Sequence, residues 1–236
     1  MYQNRRIAAL IPARGGSKGL KRKNVLPLNQ KPLIGWTIEQ AQKSKYLDYF
    51  LVSTDDDEIA RISREFGALV PFMRPDYLAS DSATSVDVAL HAIEYLQEYN
   101  KQVFDYLLLL EPTSPLREDD DIDKMIEKMI LHEEECDGLV SLGPVHEHPD
   151  LMKVIDGEKV LPYKDGSFEA RRQVLKQVYF PYGVGYMVKV LTLREKRTFY
   201  PERIVPYVIK RYQCFEIDDI YDLISIEPII TYQRGM

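Results

Sequence analysis

The sequence is poor in cysteine and histidine and has no long apolar stretch. Its 236 residues include two cysteines and four histidines. Cys136 and Cys214 lie far apart in the sequence and do not form the CxxC pair of a metal-binding motif. No apolar run reaches the roughly 20 residues that a membrane span needs, and the first residues lack the apolar core of an export signal. We therefore expect a cytoplasmic protein with reduced thiols and no membrane partner.

Positive charge is also in short supply. The chain has 31 lysines and arginines against 37 aspartates and glutamates, which gives a formal net charge of −6. Proteins that bind nucleic acid neutralise many phosphates and usually need an excess of positive charge. We therefore do not expect nucleic acid as a partner. The positive charge that is present is concentrated locally, so its target should be a small anion.

That concentration lies in the stretch IPARGGSKGLKRKN at residues 11–24, which holds three glycines and five cationic side chains. It follows the buried-strand pattern RIAALIP, and open α/β sheets bind ligands beyond the carboxyl ends of their strands. Glycine lets backbone amides approach phosphate oxygens, and arginine and lysine neutralise their charge. Neither GxxxxGK[ST] nor GxGxxG fits the spacing of Gly15, Gly16 and Leu20. The stretch predicts a binding loop for a nucleotide triphosphate, with a solvated basic surface loop as the alternative.

Strand and helix patterns alternate over the first 145 or so residues. Strands are expected at RIAALIP, YFLVSTD, ALVPFM, DYLLLLEPTSP and CDGLVSLGP, and helices at PLIGWTIEQAQKS, DDEIARISREFG, TSVDVALHAIEYLQEY and DIDKMIEKMI. This order predicts an α/β fold, a doubly wound and mostly parallel sheet with helices on both faces. Beyond it, DLMKVIDGEKVLPY predicts a hairpin turning at Asp156 and Gly157, within a small excursion at residues 146–180. The C-terminal YQCFEIDDIYDLISIEPII predicts a strand and then a helix.

Two carboxylates in FEIDDIYDL form a candidate metal site. Glu216 and Asp218 are two residues apart on a strand-like segment, so alternation would place both on one face, where they could share Mg²⁺. The alternative is that acids here cap the following helix, which Asp219 and Asp222 fit better.

Other acidic and histidine motifs are weaker candidates. TDDDE at residues 54–58 contains the DxD pair Asp55 and Asp57, but it directly precedes a helix, where acids stabilise the positive end of the dipole. REDDDID at residues 117–123 has the same interpretation. His146 and His148 in HEHP have no third ligand at zinc-like spacing.

Six blocks taken together resemble the acylneuraminate cytidylyltransferases, the family that makes CMP-activated sialic acids. They are IPARGGSKGLKRKN, RPDYLASDSATS, EPTSPLR, HEHP, RRQ and FEIDDIYDL, in that order along the chain. The resemblance implies a nucleotide-diphospho-sugar transferase-like fold and one nucleotidyltransferase domain over residues 1–236. It implies transfer of CMP from CTP to a nine-carbon nonulosonic acid, with Mg²⁺ and release of pyrophosphate. It also implies a homodimer, with residues 146–180 as the dimerisation and substrate segment.

The resemblance further assigns roles to individual residues. Nucleotide binding falls to Ala13, Arg14, Ser17, Lys18, Lys23, Asn24, Arg74, Ala83 and Ser85, and sugar binding to Glu111, Lys153, Arg172, Gln173, Phe199 and Tyr200. Catalysis falls to Arg14, Lys23 and Asp218, and metal binding to Asp218 and Glu216. Alternatives remain for two blocks: Asp81 or Thr84 could cap a helix, and Phe199 and Tyr200 could be core residues.

The chain departs from the family pattern at three positions. Glu111 stands where the family commonly has glutamine, Tyr182 where asparagine is frequent, and Glu216 where aspartate is usual. An ionised Glu111 accepts hydrogen bonds, cannot donate them, and repels a sugar acid. We therefore expect an acceptor other than ordinary N-acetylneuraminate, such as legionaminate, pseudaminate or the deaminated form. Two alternatives remain: a glycosyltransferase using Asp55 and Asp57, and a non-catalytic nucleotide-binding regulator.

Overall fold

The computed structural model describes residues 1–17, 19–164 and 175–234. The strands are β1 (Ile7–Pro12), β2 (Pro27–Leu28), β3 (Lys31–Pro32), β4 (Tyr49–Ser53), β5 (Tyr106–Leu109), β6 (Gly138–Pro144), β7 (Lys153–Asp156), β8 (Lys159–Pro162), β9 (Tyr179–Lys189) and β10 (Ile204–Val208). The α-helices are α1 (Leu33–Lys43), α2 (Asp57–Glu65), α3 (Ser85–Glu98), α4 (Asp121–Leu131), α5 (Val190–Lys196) and α6 (Ile220–Arg234). No helix in the described ranges is long and apolar enough to cross a bilayer.

The central sheet is mostly parallel, as the sequence predicts. Six strands lie in the order β10-β6-β9-β5-β1-β4. Strand β1 pairs in parallel with β4 and β5, and β6 pairs in parallel with β10. Strand β9 is antiparallel to both β5 and β6 and joins the two parallel groups. The carboxyl ends of β1, β4 and β5 therefore meet at one edge of the sheet.

Helices cover both faces of this sheet. Successive residues of β1 enter different apolar clusters, with Ile7 in one and Ala8 in the other. The first cluster includes Ile38 of α1 and Met125 of α4, and the second includes Leu96 of α3. Because both faces of the sheet are covered, residues of β1 are buried whichever face they point to. This explains why the strand is a continuous apolar run in the sequence.

Two sequence predictions of strands are wrong. ALVPFM forms only single bridges, from Leu69 to Leu51 and from Met73 to Thr54. Pro71 has no N–H to donate to a ladder, which explains why pairing does not continue. The FEIDD segment is also not a strand, because residues 214–219 have no ladder partner. Alternation therefore does not place Glu216 and Asp218 on one face.

The hairpin is confirmed, with its turn shifted by one residue. Strands β7 and β8 pair antiparallel, and Asp156 is opposite Lys159, so the loop consists of Gly157 and Glu158. Gly157 has φ of 60°, a left-handed conformation that glycine adopts without strain. The sequence analysis did not predict β10. This strand lies at the sheet edge, where Pro206 is tolerated.

The buried side chain of Arg117 joins the loop after β5 to β9. Only 5% of Arg117 is exposed, and its guanidinium makes five hydrogen bonds. The acceptors are the carbonyls of Glu111, Ser114, Gly183 and Val184 and the hydroxyl of Thr37. Burial lowers the pKa of Arg117 to about 10, so it remains charged at neutral pH. These bonds set the position of the β5 loop relative to β9.

Replacing this guanidinium should destabilise the fold. We expect Arg117→Met to lower the free energy of unfolding by about 3 kcal/mol or more, because buried carbonyls lose a charged donor. Urea unfolding measures the change. Arg61→Met is the matched control, since Arg61 is an exposed residue paired with Glu65 on α2. Equal unfolding midpoints for the two variants would contradict the role given to Arg117.

Candidate active site

A cavity of about 450 Å³ opens beyond the carboxyl ends of β1 and β5. The loops after these neighbouring parallel strands form two of its walls, and the start of α3 forms a third. Most of the residues that the family resemblance assigns to the nucleotide line this cavity. They are Arg14, Ser17, Lys23, Asn24, Arg74, Ala83 and Ser85, and they are joined there by Glu111 and Asp218.

The basic loop after β1 is held at both ends by hydrogen bonds. The side chain of Asn24 donates from Nδ2 to the carbonyl of Arg14 at 3.0 Å. The amide of Gly15 donates to Oδ1 of Asp55 at 3.0 Å. A β-carbon at Gly15 would lie 2.9 Å from the Asp56 side chain, so this approach requires glycine. The loop therefore has a fixed course over the sheet edge.

The TDDDE run supports this loop and the start of α2. Asp55 binds the Gly15 amide, and Asp56 is the N-cap of α2, accepting from the Ile59 amide at 2.9 Å. The pKa of Asp56 is lowered despite partial burial, because it accepts hydrogen bonds from the Ile59 amide and Arg22. Asp57 lies in the first turn of α2 and is exposed. These contacts agree with the capping interpretation of the run.

Two arginines provide positive charge to one side of the cavity. Arg14 pairs with Oδ1 of Asp81 at 3.0 Å and remains partly exposed. Arg74 is buried and donates from Nε to Oγ of Ser53 at 3.0 Å. Burial lowers the pKa of Arg74 to about 10, which keeps it charged at neutral pH. A bound anion would meet both charges.

The N-terminus of α3 faces the same cavity. Thr84 caps it by accepting from the Asp87 amide at 3.1 Å, and Asp87 accepts in return from the Thr84 amide at 3.2 Å. Of the two capping candidates in the sequence, Thr84 is the cap and Asp81 pairs with Arg14. A helix N-terminus carries partial positive charge and favours anions. The capped end of α3 is therefore compatible with an anion bound in this cavity.

Lys23 and Asp218 form an ion pair at the cavity wall. Lys23 Nζ lies 2.8 Å from Asp218 Oδ1, and the side chains are 16% and 78% exposed respectively. The loop passes so close to the Asp218 carbonyl that a β-carbon at Gly19 would overlap it. Glycine at position 19 thus brings the basic loop against the segment that precedes α6.

The neighbouring acids cap α6, as the sequence indicates. Asp219 accepts from the Tyr221 and Asp222 amides at 2.8 and 3.0 Å. Asp222 accepts from the Asp218 and Asp219 amides at 2.9 and 3.0 Å. Because the caps use these two residues, the carboxylate of Asp218 faces Lys23 and the cavity.

A pair of glutamates lies beside Gly183 of β9. A β-carbon at Gly183 would be 2.5 Å from Oε2 of Glu111 and 2.8 Å from Oε1 of Glu216. Glu216 is anchored, since Oε1 accepts from the Gly183 amide at 2.6 Å and from Ser114 Oγ at 2.9 Å. Desolvation and the nearby charge of Glu216 raise the pKa of Glu111 to about 7. Glu111 is therefore partly protonated at neutral pH.

This protonation changes the expectation for Glu111. The sequence analysis treated its side chain as an ionised acceptor that repels a sugar acid. A protonated carboxyl can donate a hydrogen bond and carries no charge. The local sequence does not reveal this shift, because it arises from burial in the folded chain and from Glu216, which is distant along the chain.

Of the two carboxylates that the sequence suggests as metal ligands, Asp218 is better suited to bind a hard cation. Mg²⁺ binds through one or two carboxylates together with substrate phosphates, and Asp218 is an accessible carboxylate on the cavity wall. Glu216 fits less well, because Oε1 already accepts two hydrogen bonds. Within the described ranges, the acidic group compact enough for a metal is Glu118, Asp120 and Asp121, and none of its members lines this cavity.

Several other predicted residues do not line the cavity. Ala13 is buried and its amide donates to the Ser53 carbonyl, so it positions the loop through its backbone. Phe199 lies in the core, as the alternative interpretation held, while Tyr200 is 54% exposed with its ring against Tyr186. Lys153 begins the exposed hairpin strand β7. Lys18, Arg172 and Gln173 lie outside the described residues.

Tyr182 and the HEHP histidines also have structural contacts. The ring of Tyr182 packs where a β-carbon at Gly143 would sit, and beside Phe180. His146 pairs with Glu147, and His148 Nδ1 accepts from the Asp150 amide at 3.1 Å. Both cysteines are free thiols.

Sequence reasoning missed cavity residues that have no charge. Pro112 and Thr113, from the loop after β5, line the wall, and Leu78 and Val88 supply apolar surface. Gly183 was not singled out either. A glycine within a strand often marks a close approach, which would have been the signal for it.

Comparison with known proteins agrees with this geometry. A family model described as cytidylyltransferase matches residues 8–216. The chain is 33% identical over 217 residues to a pseudaminic acid cytidylyltransferase of Campylobacter jejuni, covering 91% of each chain. It is 31% identical over 232 residues to a CMP-N,N'-diacetyllegionaminic acid synthase of Legionella pneumophila, covering 97% of this chain and 98% of that one.

A solved structure shows the same fold. It is a CMP:2-keto-3-deoxy-manno-octonic acid synthetase complexed with CTP, with a TM-score of 0.70 and 16% sequence identity. The match covers 97% of this chain and 99% of that one. With the family model matching most of its length, the chain belongs to the cytidylyltransferase family of nucleotidyltransferases.

Proposed function

We propose that this protein transfers CMP from CTP to a nonulosonic acid and releases pyrophosphate. The observation that carries the proposal is the cavity where Arg14, Arg74, Lys23 and the N-terminus of α3 converge. A nucleoside triphosphate is the small anion that such an arrangement fits, because its charge is spread over three phosphates. The similarity to a pseudaminic acid cytidylyltransferase and to a CMP-N,N'-diacetyllegionaminic acid synthase supports a nine-carbon sugar acid as acceptor.

The nucleotide binds with its phosphates along the basic loop. Arg14 and Lys23 neutralise phosphate oxygens, and Ser17 with the backbone of the loop donates hydrogen bonds. Asn24 holds the Arg14 carbonyl and so fixes the loop conformation. The buried Arg74 contributes positive charge from the cavity wall. On the basis of the family resemblance, we propose that Lys18 also binds the phosphates.

Chemistry takes place at the α-phosphate. The anomeric hydroxyl of the sugar attacks the phosphorus, and the bond to the pyrophosphate oxygen breaks. Arg14 and Lys23 stabilise the charge that builds on the phosphate oxygens, which is the main contribution in such transfers. Asp218 would hold Mg²⁺, which when bound neutralises charge on the α-phosphate and the leaving pyrophosphate. Glu216 positions the loop after β5 through Ser114.

The acceptor binds at the Glu111 end of the cavity. A neutral Glu111 carboxyl donates to a sugar oxygen without repelling the acid group. We propose a sugar other than ordinary N-acetylneuraminate, such as a legionaminate, a pseudaminate or the deaminated form. Tyr200 is proposed to contact its acyl or hydroxyl substituents. An enzyme that consumes CTP would work in the cytoplasm, where CTP is made.

We further propose that two copies form a homodimer through the β7–β8 hairpin. Its exposed apolar side chains include Val154, Ile155, Val160 and Leu161, and exposed apolar patches commonly mark protein interfaces. Lys153 lies on this hairpin and Arg172 follows it, so either could serve a neighbouring subunit's sugar site.

The first prediction concerns the Lys23–Asp218 pair. We expect Lys23→Ala and Asp218→Asn each to reduce the rate of pyrophosphate release from CTP and a nonulosonic acid by about 100-fold or more. Release is measured with a coupled pyrophosphate assay and a panel of sugar acids. Lys21→Ala is the matched control, because Lys21 belongs to the same basic loop and does not line the cavity. An equal loss in the control, or no loss in either variant, would contradict the assignment.

The second prediction concerns the hairpin. We expect Ile155→Lys to convert a dimer into a monomer, since it places a charge within an apolar contact. Sedimentation velocity measures the mass. Leu131→Lys is the control, because Leu131 is 79% exposed at the end of α4 while Ile155 is 78% exposed on β7. A wild-type monomer, or a dimer that Leu131→Lys disrupts instead, would refute the hairpin interface.

A further inference from the structure

The segment before α6 is fixed to two other parts of the chain at Glu216. Its Oε1 accepts one hydrogen bond from the Ser114 hydroxyl at 2.9 Å and another from the Gly183 amide at 2.6 Å. Ser114 belongs to the loop after β5, and Gly183 lies in β9. One carboxylate oxygen therefore joins three segments that are far apart in the sequence. Neither Ser114 nor Glu216 lines the cavity.

The next residue along the chain, Ile217, holds the same segment a second time. Its amide donates to the Thr113 carbonyl at 2.9 Å. Its side chain is fully buried in an apolar cluster that includes Leu116 and Trp36. Because the backbone here is fixed by both a hydrogen bond and packing, it cannot easily shift to follow a change in the neighbouring side chain.

Asp218 comes directly after this anchored pair and lines the cavity. Its carboxylate lies 2.8 Å from Lys23 Nζ, and its side chain is 78% exposed. An exposed side chain has little packing of its own, so its position follows from the backbone that carries it. The place of the Asp218 carboxylate therefore depends on hydrogen bonds that are made outside the cavity.

We propose that Glu216 and Ser114 are positioning residues that set the place of Asp218, and that Glu216 is not a second metal ligand. This inference rests on the proposed function, in which Asp218 would hold Mg²⁺. The family resemblance assigns Glu216 to the metal, but its Oε1 already accepts from two donors. Mg²⁺ that is bound together with substrate phosphates needs one or two protein carboxylates, so Asp218 is sufficient.

The length of the side chain separates the two roles. Glu216→Asp gives the residue that is usual in the family and keeps the charge. It also withdraws the carboxylate by about 1.5 Å, one carbon–carbon bond, which breaks hydrogen bonds of 2.6 and 2.9 Å on an anchored backbone. Glu216→Gln loses the charge but keeps an Oε1 acceptor with the same reach. A metal ligand would tolerate aspartate, whereas an anchor tolerates glutamine.

The decisive experiment compares these two variants in the binding of Mn²⁺, a paramagnetic substitute for Mg²⁺. CTP is present and the sugar acid is left out. The relaxation rate of water protons distinguishes Mn²⁺–CTP on the protein from Mn²⁺–CTP in solution. We expect Asp218→Asn and Glu216→Asp each to weaken binding by about tenfold or more, and Glu216→Gln to change it by less than about threefold.

Pyrophosphate release at saturating CTP and Mg²⁺ is the second readout. Ser114→Ala and Glu216→Asp should lower kcat by about tenfold or more, because a displaced Asp218 no longer holds its charge at the reacting phosphate. Glu216→Gln should keep kcat within about threefold of wild type. Ser225→Ala is the matched control for loss of a serine hydroxyl, since Ser225 donates to the Tyr221 carbonyl on α6. It should leave kcat unchanged.

Thermal unfolding without metal or nucleotide gives a readout that does not depend on activity. Ser114→Ala and Glu216→Asp should each lower the melting temperature by about 3 °C or more, because they remove hydrogen bonds between segments. Glu216→Gln should not lower it, since both bonds can still form. Asp218→Asn should not lower it either, because the Asp218 side chain is mostly exposed.

The opposite order of variants would overturn the inference. If Glu216→Asp bound Mn²⁺ like wild type and Glu216→Gln bound it as weakly as Asp218→Asn, Glu216 would be a metal ligand. A Ser114→Ala variant with wild-type kcat and melting temperature would also refute the anchoring role. Wild type that binds Mn²⁺ and CTP but releases no pyrophosphate with any acid would overturn the proposed function, and the order of Mn²⁺ affinities would still decide the role of Glu216.

Discussion

The site depends on one buried guanidinium. Arg117 binds carbonyls of the loop after β5 and of β9 at once, so these two segments cannot move independently. Strand β9 is also the antiparallel strand that joins the two parallel parts of the sheet. The position of Glu111 in the cavity therefore follows from a bond made in the core. A lysine, with one point charge, could not satisfy this set of acceptors.

Close backbone approaches build the rest of the cavity. Gly15 passes the side chain of Asp56, Gly19 passes the carbonyl of Asp218, and Gly183 leaves space for two carboxyls. At each place a side chain would separate groups that the chemistry needs together. The charged residues are supplied by loops, and the glycines allow those loops to approach the sheet edge closely. These glycines are therefore as necessary to the geometry of the cavity as the charged residues are.

The sequence predicted the parts of the fold that depend on local pattern. The strand β1, the helices α1 to α4, the hairpin and the basic loop all follow from periodicity and composition. It failed where long-range contacts decide: the ALVPFM segment did not pair around Pro71, and Glu216 bonds to Gly183 and Ser114 and does not share a strand face with Asp218. The raised pKa of Glu111 depends first on its burial in the folded chain and then on the charge of Glu216, which comes from a distant segment. No local rule could have predicted it.

The charges of the cavity are arranged from one end to the other. Arg14, Arg74 and the start of α3 make one end positive, and Glu111 makes the other end acidic, with Glu216 beside it at Gly183. Two anionic substrates must bind side by side across this gradient. Burial and the neighbouring carboxylates raise the pKa of Glu111, and a protonated Glu111 would not repel a sugar acid bound at this end. Any net negative charge that arrives with the triphosphate strengthens proton binding at Glu111 further, by the same repulsion that Glu216 exerts. Nucleotide binding and protonation of Glu111 would thus be coupled through charge alone.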